Sequence, residues 1–270
     1  MEKLKLPNVT LISICGTPKY TPISKVSLHH CQKHVEFGET LLFSSEDDDE
    51  FKTVKIPLFD FCMYNKFCVE ELTNYIKTDY CLIVQEDSSI TDPSCWTDDF
   101  LNFDYIGSPW PMYNFRVGNG GFSLRSKKFL EESSKMKYTG DAHIKAGFSP
   151  KQFAQGLSTP EDFYLCHLKE EELINRGIKF ADPVTAYNFA VEYQGVGTLR
   201  GHESEGEWIV KTFDPMDVET YKSFGFHGRF NVGGMKELLK TKQEIYGAEN
   251  LTHVPSLSAV KMSMNKKEDN

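Results

Sequence analysis

The sequence has no C-x-x-C pair. Its seven cysteines (Cys15, Cys31, Cys62, Cys68, Cys81, Cys95 and Cys166) are odd in number and scattered. That pattern argues against a structural zinc site and a disulfide frame, and several of these thiols sit in apolar runs where a reduced cysteine behaves as a small hydrophobe. Long hydrophobic runs are also lacking. Val9–Cys15 is apolar for only about seven residues, against the ~20 needed to span a bilayer, and no small-residue cleavage site follows it. A protein without a transmembrane segment, in a reducing and cytoplasmic setting, is expected, so the sequons Asn8-Val9-Thr10 and Asn250-Leu251-Thr252 carry little weight. Positive charge is scarce as well: 30 Lys and Arg stand against 39 Asp and Glu, a net −9. Such a chain has no basic excess with which to displace counterions from phosphates, and no nucleic-acid partner is expected. An anionic small substrate would need local donors or a bound cation.

What the sequence does have is ordinary globular composition, 40% hydrophobic and 26% charged over 270 residues. That suffices for one large α/β domain with a substantial core. One domain over residues 1–255 is expected, with a polar, disordered tail over 256–270. Val9–Cys15 reads as a strand covered on both faces. Thr21-Pro22 opens a helix carrying Ile23, Val26, Cys31 and Val35. Glu39–Phe43 reads as a second strand, and the acidic run Glu46–Glu50 as a solvated loop. Phe61, Tyr64, Cys68, Leu72, Tyr75 and Ile76 recur at helical spacing. Tyr80–Val84 is a third buried strand, ending in Gln85-Glu86-Asp87. This alternation predicts right-handed crossovers and a mixed, mostly parallel, Rossmann-like sheet flanked by helices. Further on, Thr159–Arg176 reads as a helix stopped by Gly177, Ile178–Val184 as a strand, and the glycine-rich 193–234 as long loops.

Four clusters could carry chemistry. Parallel sheets bind ligands beyond the carboxyl ends of their strands, where Glu86 and Asp87 fall, and a carboxylate there can hold a hard divalent cation; an ordinary polar turn would look the same. Gly118-Asn119-Gly120-Gly121 places three glycines within four residues, as a close backbone approach or a hairpin turn requires. The cluster fits neither a phosphate-cradling loop nor the dinucleotide fingerprint. Glu161 and Asp162 lie in the first turn of a helix, where the macrodipole favours acids and lowers their pKa, or where one of them serves as a general base. Gly225-Phe226-His227-Gly228 sets a histidine between glycines, a turn residue or a metal ligand.

Taken in order with Tyr105-Ile106-Gly107-Ser108-Pro109-Trp110 and Ala186-x-x-Phe189-x-x-Glu192, these strings make the chain resemble a family of glycosyltransferase-like domains of unknown function with the GT-A architecture. The resemblance runs from about Val9 to Gly228. It implies a transferase that moves a sugar from a nucleotide-sugar donor to the hydroxyl of a glycan or other acceptor, with inversion, using Mn2+ or Mg2+. Asp87 and His227 would hold the metal, although Gln85 stands where an Asp-x-Asp motif has its first acid. Asn119, Gly120, Gly121, Trp110 and Thr17 would line the substrate pocket, and Asp162, or failing it Glu161, would be the base. Two alternatives remain open: a catalytically inactive domain that binds carbohydrate or nucleotide sugar, and a sugar nucleotidyltransferase. The latter would want a glycine-rich basic loop after the first strand, of which Cys15-Gly16-Thr17-Pro18-Lys19 is a poor version.

Overall fold

A computed structural model describes residues 2–110, 113, 116–149, 158–192, 198–201, 208–211, 222–228 and 232–246. The expected tail and most of the glycine-rich stretch lie outside them. The strands are β1 (Leu4–Cys15), β2 (Val35–Ser44), β3 (Thr53–Lys55), β4 (Tyr80–Val84), β5 (Ser88–Ile90), β6 (Tyr105–Gly107), β7 (Pro109–Trp110), β8 (Arg116–Val117), β9 (Phe122–Ser126), β10 (Ala190–Val191), β11 (Thr198–Gly201), β12 (Trp208–Lys211) and β13 (Gly225–His227). The helices are α1 (Thr21–His34), α2 (Phe61–Lys66), α3 (Lys127–Ser133), α4 (Ala142–Lys145), α5 (Glu161–Phe163), α6 (Glu170–Asn175), α7 (Pro183–Phe189) and α8 (Val232–Tyr246).

The central sheet has six strands in the order β3-β2-β1-β4-β9-β6. Pairings from β3 through β4 are parallel, and β9 runs antiparallel to both β4 and β6. This is the mixed, mostly parallel sheet flanked by helices that the alternation of strands and helices predicts. Val9–Ser13 and Cys81–Val84 are buried at every position, so both faces are covered there. Chain order runs outward from β1 through β2 to β3 and then returns to β4 on the far side of β1. The carboxyl ends of β1 and β4 therefore flank the point where strand order reverses, the usual ligand crevice of such sheets. A second sheet, β10-β13-β5, pairs β13 antiparallel with β5 just beyond that crevice.

Four local expectations are corrected. The run from Phe61 to Ile76 is not one α-helix but α2, a π-turn over Phe67–Glu71 and a 3-10 turn over Leu72–Asn74. Buried Asn65 donates from Nδ2 to the Phe61 carbonyl at 2.7 Å, and such side-chain competition disturbs a helical ladder. Ile178–Val184 is not a strand: only Phe180 bridges to Tyr105, and Asp182 caps α7 by accepting from the Val184 and Thr185 amides with Pro183 following. The 159–176 helix is divided into α5, a π-turn and α6, ending at Gly177 with φ +82°. The acidic run is not merely solvated, because Lys25 is paired with Asp48 at 2.7 Å and with Glu50 at 2.8 Å.

Candidate active site

The tip of β4 and the end of β13 meet. The β5–β13 register sets His227 opposite Ser88, and the Gly228 amide donates to the Asp87 carbonyl at 2.9 Å. His227 Nε2 lies 3.4 Å from Asp87 Oδ1 and 3.2 Å from Gln85 Oε1. The Gln85 amide is oriented for this, since its Nε2 donates to the Tyr64 hydroxyl at 3.0 Å. On the other ring nitrogen, Nδ1 lies 3.4 Å from Glu192 Oε1, just after β10. Burial alone disfavours the imidazolium, but Asp87 and then Glu192 outweigh it and raise the His227 pKa well above the ordinary histidine value. Burial, and next the Asp87 charge, push Glu86 up.

Gly121 makes that approach possible, because a Cβ there would stand 2.1 Å from His227 Nε2. Its carbonyl accepts from the Gln85 backbone N–H at 2.9 Å and from Ser88 Oγ at 2.7 Å, which ties the glycine turn to the end of β4. The preceding residue faces the two acids of α5. A Cβ on Gly120 would be 2.4 Å from Glu161 Oε1, and its amide donates to Asp162 Oδ2 at 2.8 Å. Asp162 Oδ1 accepts from the Phe163 amide at 2.7 Å. The low pKa expected from a first-turn position is not what the surroundings produce. Burial and then the Glu161 charge push Asp162 up to about 6, against the pull of the two amides and Arg125.

Glu161 has a different environment. Both its oxygens are taken by Arg125, at 2.7 and 3.1 Å, and neither side chain is more than 4% exposed. Asn119 is buried and spends its Oδ1 on the Gly121 amide at 3.1 Å. Trp110 is buried against Gly118 and Phe163, behind the turn. Thr17 is half-buried past the carboxyl end of β1, and its carbonyl accepts from the Tyr20 amide at 3.0 Å. The neighbouring Cys15 thiol is pushed up to about 11, by burial first and with the Glu86 charge contributing, which ties this strand end to that of β4. The structure thus brings Asp87, His227, Gly120, Gly121 and Asp162 around one turn.

Sequence reasoning gave no role to Arg125, Ser123, Asn65, Gln85 or Glu192. A guanidinium inside a buried strand, and the acid of Ala186-x-x-Phe189-x-x-Glu192, were the available signals. Among the described residues, no three His, Cys, Asp or Glu side chains gather into a ready-made metal cluster. What is present is a carboxylate, an amide oxygen and an imidazole Nε2, with Glu192 behind the ring. His227 Nδ1 is buried with Glu192 Oε1 at 3.4 Å as its ion-pair partner but no well-formed hydrogen bond, and Glu192 Oε2 is buried without a hydrogen-bond partner. That set fits a divalent cation that displaces the proton from His227 and draws the rest of its shell from a substrate's phosphates, with the outer carboxylate behind the ring.

Fold and site together define an α/β protein with an acid, an imidazole and a second carboxylate at the crevice of its sheet. The chain belongs to a family of proteins of unknown function, DUF5672, whose model matches residues 49–204. No curated protein matches it. Among solved structures it is similar to the apo-form glycosyltransferase GlyE of Streptococcus pneumoniae TIGR4, with a TM-score of 0.36 and 12% identity over 67% of this chain. The match spans 45% of that protein's length. The activity in that name belongs to that protein; for this chain the chemistry has to come from its own side chains. Among the described residues, no helix is long and apolar enough to cross a membrane.

Proposed function

We propose that the protein is a divalent-metal-dependent glycosyltransferase, inverting at the anomeric carbon, that moves a sugar from a nucleotide-sugar donor to an acceptor hydroxyl. One observation carries this reading: Asp87 and His227, remote in sequence, stand 3.4 Å apart at the crevice of the sheet, across a two-glycine turn from Asp162. Asp87 and His227 Nε2 would hold Mn2+ or Mg2+, with Gln85 Oε1 beside them and Glu192 fixing the ring. Such an ion, when bound, stabilises negative charge developing on a departing diphosphate. Gly120 and Gly121, lacking Cβ atoms, let Glu161 and His227 close in on the turn between the metal ligands and the base. Asp162, with its pKa raised to about 6, is close to the poise of a general base at neutral pH and would take the acceptor proton as its oxygen attacks. Glu161 is committed to Arg125, so the base is assigned to Asp162. A cytoplasmic location belongs to the same reading, supported by the unpaired state of all seven cysteines.

A second reading, an inactive nucleotide-sugar-binding domain, is favoured by the neutral Gln85 at the β4 tip. A panel of nucleotide sugars with purified protein and Mn2+ separates the two. Transfer or donor hydrolysis supports the transferase, and proton NMR of the product anomer then reads inversion. Metal-dependent thermal stabilisation without turnover supports the binding domain, and neither response would count against both.

A further inference from the structure

Among the described residues Arg125 is one of the largest fully buried side chains, and the proposed mechanism gives it no work. Its hydrogen bonds form a closed circuit. Nη1 and Nη2 grip the two oxygens of Glu161 at 3.1 and 2.7 Å. Nε donates to Ser123 Oγ at 3.0 Å, and that hydroxyl donates to the Gly120 carbonyl at 3.0 Å. The Gly120 amide holds Asp162 Oδ2 at 2.8 Å, and Asp162 is the residue after Glu161. The circuit therefore starts and ends on adjacent residues of α5, passing through β9 and the glycine turn on the way. It is braced on both sides: Asn65 Oδ1 accepts from the Glu161 amide at 2.9 Å, and the Tyr105 ring lies 5.2 Å from the guanidinium. Gly120 is wedged inside it, since a Cβ there would stand 2.9 Å from Arg125 Nη2.

We infer that Arg125 is a positioning residue for Asp162, acting through Ser123 and Gly120 to fix where that carboxylate points. This rests on the base role proposed for Asp162. A guanidinium suits the task because it offers a planar fork to Glu161 while a third donor faces away to Ser123. A lysine ammonium cannot reproduce that geometry. With each Asp162 oxygen accepting one amide, one lone pair on each is left for an acceptor hydroxyl. The titratable groups facing Asp162 are Glu161 from its own helix, Arg125 from β9, Tyr105 from β6 and Cys166 from the following turn.

Ser123→Ala and Arg125→Lys test this on the full chain. In each, 13C NMR titration of the Asp162 carboxyl and hydrogen exchange at the Gly120 amide are measured beside transfer kinetics. The alanine variant keeps the ion pair and cuts only the Ser123 link, so it decides the matter if the lysine variant fails to fold. The expected result is at least tenfold faster Gly120 exchange, an Asp162 midpoint displaced by half a unit or more, and a kcat about tenfold lower with donor KM within twofold. An unchanged Gly120 amide and Asp162 midpoint in folded Ser123→Ala overturns the assignment. The two NMR readings need no turnover. If the wild type transfers no sugar while the variants still give these shifts, the transferase reading falls and the positioning role stands.

Discussion

Asp162 is where opposing influences can be weighed most directly. Its first-turn position favours the carboxylate, and burial beside Glu161 disfavours it more. Asp162→Asn should cost transfer about 10²-fold or more while sparing donor binding, as expected when a general base is lost. Turnover close to wild type would make Asp162 a purely structural acceptor for the Gly120 amide. The pH dependence follows with a definite sign. A base with a pKa of about 6 is ionised above that pH, so kcat should fall about tenfold per unit below it. For stability the sign is opposite to that of a salt-bridged acid. The unfolded Asp titrates near 3.9, so between roughly pH 4 and 6 the folded state holds more protons and stability falls as pH rises. Asp162→Asn removes this loss. Measured by urea unfolding, the variant should gain on wild type by up to ~3 kcal/mol between pH 4 and 7. A pH-independent difference would contradict the raised pKa.

At the scale of elements, the strands that build the crevice were legible because buried parallel strands leave continuous apolar runs. Val9–Cys15 and Tyr80–Val84 lie in the expected places, and Asp87 follows β4 as its position predicts. The alternation of helix and strand also gave the sheet class. Illegible were the features set by side-chain hydrogen bonds between distant segments. Asn65 reaching back to Phe61 interrupts a well-periodic helix, and Asp182 with Pro183 turns an apolar stretch into a helix start. Arg125–Glu161 joins β9 to α5 with no periodicity to announce it. Removing one partner of a buried pair leaves the other charge uncompensated, so Glu161→Ala should cost about 3–5 kcal/mol in urea unfolding. A loss below ~1 kcal/mol would mean water reaches Arg125. The glycine turn makes a sharper demand on the site. Gly121→Ala sets a methyl where His227 Nε2 lies 2.1 Å away, and overpacking of that kind costs about 1–3 kcal/mol. The variant should fold and lose at least tenfold in Mn2+-stimulated donor affinity, read by calorimetry. An unchanged affinity would detach His227 from the donor.

For the whole molecule, the net −9 sets the frame in which the local site must work. An anionic nucleotide sugar gains nothing from the protein's overall field and is opposed by it at long range. Under the proposed function attraction has to be generated locally, and a cation at the crevice acids Glu86, Asp87 and Glu192 would supply it. Donor affinity should therefore collapse on EDTA treatment and return with Mn2+. The most direct measurement is calorimetric titration of the donor nucleotide sugar into wild-type and Asp87→Asn protein, each with and without Mn2+. If Asp87 holds the metal, Mn2+ tightens binding at least tenfold in wild type and has no effect in the variant. An equal Mn2+ response in both proteins would contradict that assignment.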